Sequence, residues 1–405
     1  MDGKENFYDE EEEEVVRNSN VTSTPNPLPK VLNIGVGQGG SRIALSMGSA
    51  FKSLPECLYL NTSEKDNFGI SNSADTKRIM KIGGKSVEGT GKDRSVAEKM
   101  LKKEYLDIIE KLKVYVNEKA YDFIFVSFST AGGTGSGIGP KLTALLNSEQ
   151  FMAGLDPKVY GGKIPLVFGI AATPEISSTE GNLSYENTLE CLEDIDKQAS
   201  RDMARYIIIN NGGVPNKNKT ERTSQLETVN YMVATTIKRY LMDYGVSRVS
   251  NLDKADRYGA LNTMGLHSFV TFYEDGSKAI TPFIIPNGER VRRVCCEVPK
   301  IFENKTLSFT SSNGIFADDT ILGLYDMEMK ENKGLIPIVA FHGFKNTAKI
   351  AEMFNNRLKL NKEHASKIEE ENTYSSTGLD DVEIERQTRD KEYGRNAAKS
   401  FEDIF

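Results

Sequence analysis

Ser129-Thr130-Ala131-Gly132-Gly133-Thr134-Gly135-Ser136-Gly137 lies between an apolar run, Phe123-Ile124-Phe125-Val126-Ser127-Phe128, and a helix-forming stretch, Pro140-Lys141-Leu142-Thr143-Ala144-Leu145-Leu146. A strand that empties through a glycine-rich turn into a helix start makes an anion site. Glycine backbone adopts positive φ and comes close to a ligand, and the helix's first N–H groups and its dipole then face the negative charge. Thr130, Thr134 and Ser136 add hydroxyl donors. Four of the six residues 132–137 are glycine, more than flexibility at the mouth of a buried strand requires.

Around this stretch, strand and helix patterns alternate. Val31-Leu32-Asn33-Ile34-Gly35-Val36 reads as a buried strand, followed by Gly37-Gln38-Gly39-Gly40 and a helix over 41–51. Cys57-Leu58-Tyr59-Leu60 is a second strand ending in Asn61-Thr62-Ser63. Residues 78–82 precede a further glycine-rich loop over 83–93, and 95–116 show helical periodicity. Strands over 164–171 and 206–211 flank a helix over 183–196. Such βαβ units predict a parallel sheet, and the continuous apolar runs predict strands buried on both faces. Residues 223–244 form a long helix candidate closed by Gly245. Beyond it, strand-like segments at 267–273, 281–285, 291–298, 321–326 and 335–341 are separated mostly by turns, which predicts a smaller α+β domain with a mixed sheet. From Asn346, the residues Ile350, Phe354 and Leu358 recur on one face of an amphipathic helix. The expected organisation is therefore a disordered acidic arm (1–29), an α/β nucleotide-binding domain of Rossmann-like type with a parallel sheet (30–222), a central helix (223–245), an α+β C-terminal domain (246–345), and an extended helix with a flexible tail (346–405).

Composition narrows the function. The 405 residues have a net charge of −7, so direct nucleic-acid binding is not expected. No run of eighteen apolar residues occurs, which predicts no membrane span. The acidic block Asp9 to Glu14 stands where a secretion signal would be basic, which predicts a cytoplasmic protein. Cys57, Cys191, Cys295 and Cys296 lack CxxC spacing and read as reduced and buried, with Cys295 and Cys296 on opposite faces of a strand. His267, His342 and His364 are scattered without an evident partner.

The chemistry rests on three glycine-rich loops. Gly35-Val36-Gly37-Gln38-Gly39-Gly40 satisfies G-x-G-x-x-G between a strand and a helix, the dinucleotide fingerprint. A NAD-dependent oxidoreductase would then need an acid at the end of the second strand, where this chain has Asn61-Thr62-Ser63. It would also have no use for a second phosphate-type loop. Taken alone, the first loop fits a dinucleotide and a mononucleotide equally. A Walker P-loop is excluded: Gly84-Lys85-Ser86 mimics its end, but Ile79 stands in place of its first glycine, and Gly91-Lys92 is followed by Asp93. The loops at 35–41, 83–93 and 131–137 all follow strand-like segments and can share one sheet edge. Together they would wrap a triphosphate in backbone N–H groups.

The 131–137 loop resembles the G-G-G-T-G-[ST]-G signature of the tubulin/FtsZ superfamily, with Ala131 in place of the first glycine. The resemblance covers about residues 30–360 and implies a GTPase that binds GTP or GDP with Mg²⁺. In its terms, Gly37, Gln38, Gly39, Gly40 and Ser41 belong to the first nucleotide loop, Asn61, Thr62 and Ser63 to the second, and Gly89, Thr90, Gly91 and Lys92 to the third. Ala131, Gly132, Gly133, Thr134, Gly135 and Ser136 form the signature loop, and Thr173, Pro174 and Glu180 the sugar loop. Asn210 and Asn230 stand where the family places guanine-reading asparagines, whose amide and carbonyl match the donors and acceptors of the base edge.

Asn251-Leu252-Asp253-Lys254-Ala255-Asp256 is similar to N-x-D-x-x-[DE], the family's loop that reaches into the next subunit's nucleotide site. The resemblance thus implies catalytic roles for Asn251, Asp253 and Asp256 in trans, and head-to-tail homopolymer filaments. Ser63 stands where an aspartate is common, which leaves the metal ligands unassigned, and the usual arginine after Glu180 is missing. The loop variants look most like the plasmid and phage tubulins of the TubZ and PhuZ types. That likeness implies a filament that segregates or positions plasmid or phage DNA or particles, with a separate basic adaptor for any DNA cargo. A nucleotide-binding relative without turnover is the remaining alternative. The acidic tail ending in Phe405 reads either as a contact for a neighbouring subunit or adaptor or as a solubilising segment.

Overall fold

Val31–Val36 forms β1, and all six of its residues are buried. The run is apolar except at Asn33 and Gly35, as a strand covered on both faces requires. The computed structural model describes residues 28–64, 78–84, 88–176, 180–214, 222–242, 252–273, 275–329 and 335–373. The acidic arm through residue 27, Gly245, Asn251 and the tail beyond 373 lie outside the described residues.

After β1 come α1 (Gly37–Ala50), β2 (Cys57–Asn61), β3 (Ile79–Lys81), α2 (Arg94–Val116), β4 (Phe123–Ser129), α3 (Gly133–Asn147), β5 (Leu166–Thr173), α4 (Asn182–Ser200) and β6 (Arg205–Asn210). The long helix α5 (Arg222–Leu241) and the short α6 (Lys254–Leu261) lead to β7 (Gly265–Thr271), β8 (Arg290–Pro299), α7 (Glu303–Ser312), β9 (Phe316–Tyr325), β10 (Ile338–Phe344) and α8 (Ala348–Thr373). The ten strands form one sheet in the order β3-β2-β1-β4-β5-β6-β7-β10-β8-β9. Pairing is parallel from β3 to β7, antiparallel on both sides of β10, and parallel again between β8 and β9.

The strands on either side of α5 are thus continuous through the pairing of β6 with β7, Arg205 opposite Gly265 and Ile207 opposite His267. The expected strand at 281–285 does not form. Phe283 makes a single antiparallel bridge to Ile209, and the Asn210 N–H donates to Pro282 O at 2.7 Å. β6 therefore pairs with β7 over its first half and with this irregular segment over its second. Helices α6 and α7 were not expected from the sequence.

Alternation of side chains along each strand separates two cores. Leu32, Ile34, Val126 and Val167 meet Leu101 and Leu112 of α2, Leu142 of α3 and Leu192 of α4. Val31, Phe123, Phe125 and Phe168 meet Ile43 and Met47 of α1 and Val233 and Ile237 of α5. All four cysteines are free and buried, and Cys295 and Cys296 fall in different cores, as expected for neighbours on a strand.

Two of the histidines do have partners. His267 on β7 stands opposite His342 on β10, and their Nδ1 atoms are 2.8 Å apart. Thr263 O lies 2.9 Å from His267 Nε2, and Tyr240 Oη lies 2.9 Å from His342 Nε2. A carbonyl only accepts, so His267 Nε2 donates and its Nδ1 accepts from His342 Nδ1, whose Nε2 takes the Tyr240 hydroxyl. Every position is satisfied by neutral rings, and an added proton would set N–H against N–H. Burial holds both rings neutral: His342 is pushed down to about 3, and His267 falls well below the usual imidazole range through burial and the nearness of the second ring. Below about pH 6.5 the unfolded chain binds protons that these rings refuse, so they lower stability as the pH falls from 7.5 to 5. His342 alone accounts for about 2 kcal/mol at pH 5. Denaturant titrations at both pH values should show a smaller pH-dependent loss in His342→Gln than in the parent protein.

Candidate nucleotide site

β1 and β4 pair in register, with Val36 opposite Phe128, so both end at one edge of the sheet, and the helices α1 and α3 begin there. The glycine turn after β1 is itself helical: α1 starts at Gly37, earlier than the periodicity predicts, with Gly37 at φ +69°. Neither Val36 at the head of α1 nor Gly132 at the head of α3 caps its helix with a side chain. Their first N–H groups are thus left for a ligand. By contrast, the Asp93 carboxylate caps α2, accepting from the N–H groups of Ser95 and Val96. The Ser95 hydroxyl and these N–H groups hold Asp93 below the usual carboxylate range.

The other loops lock onto these two helix starts. Asn61 ends β2 at the same edge, with Leu60 opposite Val36. Thr62 Oγ1 lies 2.7 Å from Thr134 Oγ1, and the Gly89 N–H donates to Thr62 O at 3.2 Å. Asn61 Oδ1 accepts from the N–H groups of Thr62 and Ser63, while its buried Nδ2 has no partner. That orphaned donor fits an anionic ligand at this edge. The loop over 89–93 presses on α3: a Cβ at Gly133 would lie 2.2 Å from Thr90 Oγ1 and 2.8 Å from the Lys92 carbonyl carbon. At Gly132 nothing lies within 4 Å of such a Cβ. Asn187 of α4, which sequence reasoning missed, donates to Lys92 O at 2.8 Å and to Ala131 O at 3.2 Å, joining two loops that are far apart in the chain. Lys92 Nζ reaches Ser184 Oγ.

Gln38, Gly39, Ala131, Pro174, Glu180 and Asn230 line one cleft, together with Arg42, Glu175, Asn211 and Gln225. Several expected residues hold the frame from outside it. The Ser41 hydroxyl donates to Gly37 O, Ser136 Oγ to Gly132 O, and Thr173 Oγ1 to Ile209 O. Gly40 and Gly135 are packed against the backbone of β4. Asn210 does not line this cleft. Its Oδ1 accepts from the Gly212 N–H at 3.0 Å, capping the turn after β6, while Asn211 lines the cleft with a buried Oδ1 that has no partner.

Asp253 and Asp256 also lie off the cleft. They form a reciprocal capping box at the head of α6: Asp253 Oδ1 accepts from the Asp256 N–H at 2.8 Å, and Asp256 Oδ2 from the Asp253 N–H at 3.2 Å. Asp253 is exposed and Asp256 half-buried. Among the described residues, no three His, Cys, Asp or Glu side chains converge on a metal position.

Two uncapped helix starts beside a loop-bound hydroxyl pair are a cradle for phosphate. Residues 30–214 match the Tubulin/FtsZ family, GTPase domain. Over these residues the chain carries the GTPase domain of the tubulin/FtsZ family. It is 26% identical over 330 residues to the tubulin-like protein CetZ of Pyrococcus horikoshii, covering 80% of this chain and 76% of that protein. It is 25% identical over 249 residues to the tubulin-like protein TubZ of Clostridium botulinum C phage, covering 61% and 60%. Its fold is similar to that of a GTPγS-form protofilament of Bacillus thuringiensis serovar israelensis TubZ, with TM-score 0.62, 17% identity, and coverage of 85% of this chain and 94% of that one. The relatives therefore include CetZ proteins as well as TubZ, and the family match sets the dehydrogenase alternative aside.

The tubulin/FtsZ site separates glycines that pack from glycines that leave room. Gly133→Ala drives a Cβ into the 89–93 backbone and should weaken GTP binding at least tenfold and lower the melting temperature. Gly132→Ala meets no atom in the free protein and should leave melting unchanged. Fluorescent GTP titration and thermal denaturation of both variants check this.

Proposed function

We propose that this GTPase assembles head to tail into filaments, and that Asp253 and Asp256 of one subunit complete the hydrolytic site of the next. What supports this best is the placement of the two acids. They sit outside their own cleft, on a solvent-facing turn stiffened by the reciprocal cap. Each spends one oxygen on a backbone N–H, which leaves the other to accept a hydrogen bond from an attacking water. The TubZ protofilament of the same fold is consistent with lengthwise stacking.

In this reading the γ-phosphate faces the first N–H groups of α1 and α3 and the Thr62–Thr134 hydroxyl pair, where preorganised donors stabilise charge without reorganising. Mg²⁺, held by the phosphates, hydroxyls and water, would supply further charge neutralisation. Asn230, Asn211, Gln38 and Arg42 form the polar wall for the base. Asn211, with its orphaned carbonyl oxygen, takes the guanine-reading role expected of Asn210, because a guanine edge offers the N–H donors that this oxygen lacks. The cleft's own carboxylates, Glu175 and Glu180, come from the loop after β5 and belong to the sugar and base side. At a net charge of −7, any DNA cargo would be taken through a basic adaptor, and the role of positioning plasmid or phage DNA is carried over from the plasmid and phage tubulins.

In Asp256→Ala, GTP binding and polymer mass in a pelleting assay should match the parent. Phosphate release per polymerised subunit should fall at least a hundredfold. Parent turnover that stays constant per subunit from dilute to concentrated protein would refute completion in trans. For the base, Asn211→Ala should lower the preference for GTP over ATP in competition binding about tenfold, whereas Asn210→Ala should change it little.

A further inference from the structure

Glu297 on β8 has a side chain with no exposure to solvent. Its two carboxylate oxygens are taken by two arginines from two helices. Oε2 accepts from Arg239 Nη1 at 2.8 Å, in the last turn of α5, and Oε1 accepts from Arg257 Nη2 at 2.9 Å, in α6. Arg257 also donates through Nη1 to Tyr240 O at 2.8 Å, near the end of α5. Arg257 directly follows Asp256 in the chain, and its own N–H donates to Asp253 O. The capping turn that bears both acids is therefore tied to the end of the central helix and to the sheet by one buried carboxylate. Removing a charge from such a group leaves its partners buried and uncompensated, so its geometry is held tightly.

We infer that Glu297 is a positioning residue for GTP hydrolysis: through Arg257 it sets where Asp253 and Asp256 stand when they meet the next subunit's nucleotide. This rests on the proposed completion of the site in trans. None of the three residues lines the cleft, so Glu297 should act on turnover and not on nucleotide affinity. Misplacing an attacking water by about 1 Å can cost a hundredfold in rate, so a small tilt of α6 is enough to slow the reaction while leaving assembly intact.

The test uses the full chain and three readouts: fluorescent GTP affinity, polymer mass by pelleting, and phosphate release per polymerised subunit. In Glu297→Gln, affinity and polymer mass should stay within twofold of the parent, and release per polymerised subunit should fall about tenfold. Arg257→Lys keeps its charge but replaces the rigid, spaced donor pair that holds Glu297 and Tyr240 O with a single ammonium, and should show the same loss. The double variant should be no slower than either single one. If Glu297→Gln does not fold, Arg257→Lys decides alone. Parent-like release from Glu297→Gln or Arg257→Lys polymers, where Asp256→Ala polymers are inactive, overturns the inference and leaves the proposed function standing. Parent-like release from Asp256→Ala polymers overturns the proposed function, and the inference with it. A loss that tracks polymer mass alone shows a structural role and also overturns the inference.

Discussion

Pairing β1 with β4 in register sets two helix starts side by side at one edge of the sheet. Each start presents unsatisfied N–H groups and the positive end of a helix dipole. Two like-signed ends so close together oppose one another, and among the described residues no side chain caps either. Glycine packing, the Thr62–Thr134 hydroxyl contact and the Asn187 bridge hold them there, all of it short-range contact. An anion at the edge relieves the opposition directly. Phosphate binding and stability of this edge are therefore linked, and bound nucleotide raises resistance to unfolding with the logarithm of its concentration over its Kd.

The second constraint is the seam between the two parts of the sheet. β6 gives only the first half of its length to β7, so the joint relies on buried polar links. Arg205 donates to Asn147 Oδ1 and to Asn262 O and Oδ1, which ties the end of α3 to the turn before β7, and burial pulls its guanidinium down to about 10. The histidine pair joins β7, β10 and α5, and the Glu297 triad joins α5, α6 and β8. Links of this kind are directional. They specify one relative placement of the parts, where apolar packing alone tolerates sliding.

Those two constraints divide the chemistry. The phosphate edge is rigid, local to one subunit and made largely of main chain. The acid-bearing turn of α6 is exposed and held from behind through Arg257. The proposed filament would bring an edge of the first kind against a turn of the second. The helix α5 belongs to both, since Asn230 lines the cleft and Arg239 anchors the triad.

Much of this was legible in the residues themselves. Continuous apolar runs and 3.6-residue periodicity located β1, β4, β5, α2 and the long α5, because those patterns report burial on two faces or one. The glycine spacing at 35–41 and 131–137 marked the sheet edge where the two uncapped helices begin, because close backbone approach there leaves no alternative to glycine. The Asn251–Asp256 pattern marked the two acids on which the proposed function rests. What the sequence by itself could not determine was anything set by a partner distant along the chain. Asn210 and Asn211 are equivalent as types, and only the turn capped by Asn210 sends Asn211 into the cleft. Residues 281–285 read as strand-like, yet beside β6 the segment makes a single bridge. His267 and His342 became a pair, and Glu297 found two arginines, because the register of β7, β10 and β8 brought them together. Local pattern records what each segment needs to bury. Which polar groups then meet is decided by packing, since a buried donor or charge must find its partner wherever the fold has placed one.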